Sequence, residues 1–399
     1  MDLQRHTAEQ WFRRRGLPAV VRGRPTQLLV RILPALAYLG STELLTDVLF
    51  LVDGATQEEW EALMENPAYE VGYWALLVGL LVLPPLSAWL AMTWVRRSTA
   101  AGTSRGRMTA IVAIVLYVLG IPLLGYLIDA VYFLPVVFQG ALIVLAAIVL
   151  VALGAGSVFA WAARMAVRQL RKLGTLTSRA LPLLLLFTTF GFLSAEIWQS
   201  FTALRGSQIW WVVGFFAVLA MLFMVAVLSD ELHDLIRSRP RGADPAKLTG
   251  TPFEFFLDDH PAAVHPLRRV ERLNMVLVLL LAQLIQAVAF GLLMFAIFVT
   301  FGSLAVRPEV MKAWSTHDLT SGTIYGIYLP FHNELLQVSI FLAAFSGLYF
   351  ATSTATDARI RQSFFDPLIE HMAVNLSARH LYLGRWVGQP SGSTTQSTM

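Results

Sequence analysis

Cysteine is missing from all 399 residues. Its absence excludes disulfide frameworks, thiolate metal sites, iron–sulfur clusters and cysteine nucleophiles. Charge is scarce as well: Asp, Glu, Lys and Arg make up 14% of the chain, where a soluble protein carries about 25%. With 56% hydrophobic residues and a mean hydropathy of +0.61, a soluble globule would lack the polar groups to clothe its surface. Lysine occurs only at Lys172, Lys247 and Lys312, an imbalance that reads as coding bias rather than arginine-specific chemistry. No GxxxxGK[ST], GxGxxG after a strand, GxSxG or TVGYG-type filter is found, so ATP-driven transport, dinucleotide chemistry, hydrolysis and potassium conduction lack support. His260 and His265 lie near Asp258 and Asp259 without helix spacing or an HExxH, which reads as a solvated loop. The expectation is no enzyme, no catalytic residue, no cofactor and no metal.

Long apolar runs are what the chain has instead. A run of about 20 such residues crosses a hydrocarbon core roughly 30 Å thick. Runs at 28–52, 72–95, 108–128, 134–157, 180–201, 209–229, 274–302 and 337–356 predict an all-α, polytopic transmembrane helix bundle of eight spans. The chain then divides into an amphipathic N-terminal segment (1–27), an eight-span transmembrane domain (28–356) and an amphipathic helix with a disordered tail (357–399). In the last, Ile360, Phe364, Leu368 and Met372 recur at helical spacing, and Ser391–Met399 is Gly/Ser/Thr-rich. The 303–336 connection is long enough for an amphipathic helix around Pro308–Trp314 that lids the bundle.

Basic residues alternate with the spans. Of the 30, 26 fall in the N-terminal segment, in alternate connections and in the tail, against three in the remaining connections. Lys and Arg concentrate in short cytoplasmic loops, so both termini are expected in the cytoplasm. The expected partner there is a bilayer with anionic headgroups, attracted at about 1 kcal/mol per basic residue near the surface. Topology accounts for these arginines, and no nucleic acid is expected. Tyr73, Trp74, Trp198, Trp210 and Trp211 at outer ends, and Trp94 and Trp161 at inner ends, read as interfacial anchors.

Candidate function lies in the few acids within the spans. A carboxylate at a helix centre costs roughly 2.5–3.5 kcal/mol on insertion scales and usually faces the interior. Glu43 and Asp47 are four apart on one helical face; Glu196 and Gln199 lie together in the fifth run. Gln283 and Gln286 share a face of the seventh, and His332 and Glu334 stand at the outer interface. These residues predict a polar cavity centred on Glu196 for transport or sensing of a small solute or ion, because neighbouring carboxylates raise each other's pKa and protonation can be coupled to solute movement. The alternative is a non-transporting scaffold whose basic cytoplasmic face recruits a protein partner, with the intramembrane polar groups bonding helix to helix. Arg31-Ile-Leu-Pro34 followed by Ser41-Thr-Glu43, and Arg179-Ala-Leu-Pro182 followed by Ser194-Ala-Glu196, match across four spans and raise a parallel 4+4 repeat.

The run from Arg179 to Gln199, with Pro266–Asn274 and Phe365–Leu368, resembles multi-pass integral membrane proteins of actinobacterial type. The resemblance implies a bacterial inner membrane and supplies neither a substrate nor site residues.

Overall fold

The computed structural model describes residues 2–17, 28–54, 56–100, 104–129, 133–152, 155–170, 188–204, 207–237, 248–254, 267–324 and 326–386. In chain order its helices are α1 (Asp2–Arg14), α2 (Leu28–Arg31), α3 (Leu33–Val52), α4 (Gln57–Met64), α5 (Pro67–Ala100) and α6 (Ser104–Val115). A π-helical turn (Leu116–Gly120) carries α6 into α7 (Ile121–Asp129), followed by α8 (Phe133–Ala152), α9 (Ala155–Leu170), α10 (Ala195–Thr202) and α11 (Gln208–Arg237). Then come α12 (Arg269–Ala305), α13 (Pro308–Ser315), the strands β1 (Ser321–Ile324) and β2 (Ile327–His332), and α14 (Asn333–Thr356). The short α15 (Ala358–Ile360) leads through a second π turn (Arg361–Phe365) to α16 (Asp366–Trp386).

Seven stretches among the described residues are long and apolar enough to cross a membrane: Leu33–Val52, Pro67–Val95, Gly106–Leu127, Phe133–Val151, Gln208–Glu231, Arg269–Ala305 and Asn333–Thr354. The chain is an all-α polytopic membrane protein. Of the expected run at 180–201, only Thr188 onward is described. It is helical over 188–192, breaks at Leu193–Ser194 and resumes as α10. The residues that would complete an eighth span, with Arg179, Pro182, His260, His265 and the Ser391–Met399 tail, lie outside the described residues. Helix α5 starts five residues before the expected 72, because Asn66 Oδ1 accepts the Ala68 N–H at 3.0 Å and Pro67 suits a first helical position, where no N–H is needed.

The chain forms two compact units, and both draw on the 28–356 region. The smaller comprises 23–156 and 320–333. In it α3 lies along α5, with Val30, Leu33, Val95 and Ala110 forming one apolar cluster and Ile32, Leu36, Tyr117 and Val144 a second. A third joins Leu49, Trp60 and Tyr73. Tyr73 therefore packs inward rather than anchoring at an interface. Above that cluster sits the β1–β2 hairpin, which the sequence reading missed; Gly322 pairs with Leu329 and Ile324 with Ile327. Gly326 turns it at φ +84°, where a Cβ would meet the Phe50 ring at 3.2 Å. The Tyr73 hydroxyl donates to the Tyr328 carbonyl at 2.9 Å, and Trp60 stacks on Tyr328.

The larger unit comprises 1–22, 157–319 and 334–399. Its core is built on α12 and α14, where Val278, Leu279, Phe290, Met294, Phe298, Leu335, Val338 and Leu342 are buried with Phe192 and Trp198. The two helices approach closely: a Cβ on Gly291 would stand 3.2 Å from the Ala343 carbonyl oxygen, and one on Gly347 3.3 Å from that of Ala287. Small residues permit this backbone contact between spans. Trp198 is a core residue, its Nε1 donating to the Phe192 carbonyl at 2.7 Å, whereas Trp211 is exposed as an anchor should be. The expected amphipathic helix of the 303–336 connection forms as α13 and sets Trp314 against Trp198.

Candidate functional site

The clearest candidate lies in the smaller unit, where α3, α5 and the α6–α7 helix leave an open groove of about 620 Å³. Its walls are almost wholly apolar: Leu33, Leu36 and Gly40 from α3, Trp94 from α5, and Leu116, Tyr117 and Ile121 around the π turn. Two local irregularities lie in the helices that flank it. Pro84 and Pro85 stand inside α5 and have no N–H to offer the carbonyls one turn back. The Ser87 hydroxyl lies within hydrogen-bond reach of the Pro84 carbonyl at 2.8 Å and of Ala37 at 3.0 Å, and 3.0 Å from the Ser41 hydroxyl. Across the groove, the π turn inserts a residue into the helical register, a distortion that recurs at functional sites. It turns the Tyr117 ring inward, leaving it 4% exposed.

Tyr117 joins this apolar wall to charge. Its hydroxyl donates to Glu43 Oε1 at 2.7 Å. Glu43 is half-buried, and so is Asp47 one turn further along α3. The groove therefore has apolar walls, the Ser41 hydroxyl among its lining, and an acid adjoining it through a phenol. That chemistry suits an amphiphile: an apolar body against the walls and a hydrogen-bonding end near the phenol–carboxylate pair. Cavities of roughly 300–1,000 Å³ with few polar groups are the usual form of small-molecule sites.

The other sequence candidates are dispersed. Glu196 is exposed in the first turn of α10 and accepts the Ser194 hydroxyl at 2.6 Å, a favourable place for a carboxylate at a helix N-terminus. Gln199 on the same helix is exposed. Gln283 and Gln286 are buried in α12, 4% and 0% exposed. Glu334 is buried at the start of α14, with His317 Nδ1 3.8 Å from its Oε1. His332 closes β2 opposite Ser321. Near it, Glu61 accepts hydrogen bonds from Ser321 and Gln57, which hold its carboxyl below the usual range. Glu196 and Gln199 thus stand exposed rather than enclosed in the interior. The acids of the proposed repeat also differ in setting: Glu43 sits mid-helix and Glu196 just after a helix break.

Sequence reasoning missed Tyr117, whose signal was a tyrosine midway through an otherwise apolar run. It also missed the polar side of α16. The spacing that singled out Leu368 and Met372 continues through Asn375, Arg379 and Tyr382, all buried. Arg379 Nη2 meets Glu271 Oε2 at 2.7 Å, and the same oxygen accepts the Arg268 N–H that starts α12.

No protein-family model matches the chain, and no curated protein or solved structure is significantly similar to it.

Proposed function

We propose that this integral membrane protein transports or senses a small amphiphile held in the groove between α3, α5 and the α6–α7 helix. The observation that carries the reading is an apolar groove of about 620 Å³ whose Tyr117 wall ends on the intramembrane acid Glu43 at 2.7 Å. Apolar walls disfavour a bare ion, which would surrender its hydration without replacement. A hydroxyl or amine head on a long apolar body suits them better. The arrangement moves the functional centre from Glu196 to Glu43. We further propose that both termini lie in the cytoplasm of a bacterial cell, supported by 26 of 30 basic residues falling on one set of segments.

The test is binding of a dansyl-labelled long-chain amine and alcohol to the full chain in maltoside detergent, followed by flux in proteoliposomes. Gly40→Leu places a bulky side chain where a Cβ already stands 3.5 Å from Ile121 and 3.7 Å from Tyr117. It is expected to lower affinity roughly tenfold or more, and Tyr117→Phe by about two- to tenfold. Wild-type binding that survives Gly40→Leu unchanged would reject the groove. A scaffold that recruits a protein at its basic face predicts no probe binding at all.

A further inference from the structure

The larger unit holds a second polar cluster that the groove does not involve. Its parts come from α9, α16 and the turn that follows α1. His371 and Asn375 lie one turn apart on α16 and so share a face. The Arg15 Nη1 donates to Asn375 Oδ1 at 3.3 Å, which assigns the other amide atom, Nδ2, as a donor. That Nδ2 is buried and without a partner, and so is His371 Nε2. The His371 ring lies 4.8 Å from that of Trp161 on α9, and Arg168 is two turns further along α9.

Arg15 is held in place from several sides. Its guanidinium lies 4.3 Å over the Trp11 ring, Arg164 Nη2 donates to the Arg14 carbonyl at 3.1 Å, and Asn274 Nδ2 donates to the Gly16 carbonyl at 3.2 Å. Gly16, at φ +78°, fits against Trp161, where a Cβ would sit 3.4 Å away. The arginine is thus a positioned part of the unit rather than a loose surface side chain.

Positive charge is gathered here, and the acids of the neighbouring elements among the described residues are engaged elsewhere or exposed. On α1, Glu9 is engaged by Arg5 and by the Tyr382 hydroxyl. On α12, Glu271 is engaged by Arg379, and at the start of α16 Asp366 is engaged by Arg361. Glu370 is exposed, and the described part of α9 has no acid. Burial first, and then the charges of Arg15 and Arg168, push the His371 imidazole down to about 3. The ring is therefore neutral, and a proton carried on Nε2 would be a buried donor without an acceptor. The buried Asn375 Nδ2 and His371 Nε2 have no partner, and a buried polar group left unsatisfied is costly. A tetrahedral oxyanion offers acceptor oxygens to these two donors and a counter-charge to the arginines, and arginine suits phosphate through its planar fork of donors.

We propose that Arg15, Arg168, His371 and Asn375 form a binding site for a phosphoryl group, presented by a phospholipid headgroup or by a free phosphate. The site is independent of the amphiphile groove and stands or falls separately from it.

The test uses the full chain in maltoside detergent, stripped of phospholipid. One arm titrates inorganic phosphate by calorimetry, and the other adds phosphatidylglycerol and counts retained lipid by native mass spectrometry. Binding in at least one arm is expected, weakened roughly tenfold or more by Arg168→Gln and by Asn375→Leu. Retention of phosphatidylglycerol without phosphate binding identifies the headgroup as the ligand; phosphate binding identifies the free anion. Asn375→Leu alters a buried position and risks misfolding, so the exposed Arg168→Gln, checked for native helix content, decides the outcome. Failure of the wild type to bind either probe, or equal binding by Arg168→Gln, overturns the site.

Discussion

The two units solve the same solvent problem differently. In the larger, α14 and α12 bury 56% and 39% of their most apolar windows against protein, whereas in the smaller α3 and α5 bury 11% and 6%. Aromatic rings and close glycine contacts lock the first. The second leaves most of its apolar surface to lipid and keeps a groove between helices. Buried polar groups therefore mean different things in the two. In the dense interior Arg379 is buried and paired with Glu271; beside the open groove Glu43 is only half-buried and bonded to the Tyr117 phenol.

The largest test of this contrast is the buried ion pair. Removing one partner leaves an uncompensated charge, so Arg379→Met is expected to destabilise the larger unit by about 3–5 kcal/mol, and Arg379→Met with Glu271→Gln to recover part of that loss. Reversible denaturant unfolding measures both. A loss no greater than that of a surface mutation would erase the distinction between the units.

The same substitution made in each unit sharpens it further. A Cβ on Gly302 would meet Leu335 Cδ1 at 2.3 Å and the Phe192 ring at 2.9 Å, whereas Gly125 has nothing within 4 Å. Gly302→Ala is expected to cost about 1–3 kcal/mol by overpacking. Gly125→Ala should be neutral or stabilise by up to about 1 kcal/mol through helix propensity. Equal thermal shifts for the two would show that the dense and open regions tolerate added volume alike.

The smallest effect is a pH dependence confined to the hairpin of the smaller unit. Hydrogen bonds from Ser321 and Gln57 lower the Glu61 carboxyl in the folded protein. Its contribution is therefore complete above the unfolded value of about 4.3 and lost as pH falls through the lower folded value. Hydrogen exchange of the β1 and β2 amides should quicken slightly over that interval and lose this dependence in Glu61→Gln. Loosening that spreads to α12 would show that the hairpin is not a local element.

The spans were legible because an apolar run of membrane length has few other solutions. The amphipathic helix at Pro308 was legible for similar reasons, with proline fixing its start. The hairpin was hidden because its strands are only four and six residues long in a stretch that reads as a connection. Glu43 stood out as an acid among apolar neighbours, but its pairing with Tyr117, 74 residues away, is a tertiary fact that periodicity does not encode. Glu196 misled for the converse reason. Its neighbours are apolar, yet the helix breaks at Ser194, and the carboxylate becomes an exposed first-turn residue bonded to the preceding serine.

The meeting of α1 with α16 bears on how the chain is made. Arg15 and Asn375 are 360 residues apart, and Glu9 and Tyr382 373 apart. At about 5–20 residues per second, the ribosome delivers the first helix well over ten seconds before its mate. Helices α3 to α8 can pair as they emerge, whereas α1 meets α16 only once α16 has been made. A chain truncated before α16 would leave α1 without these two bonds, so α16 completes packing that α1 begins.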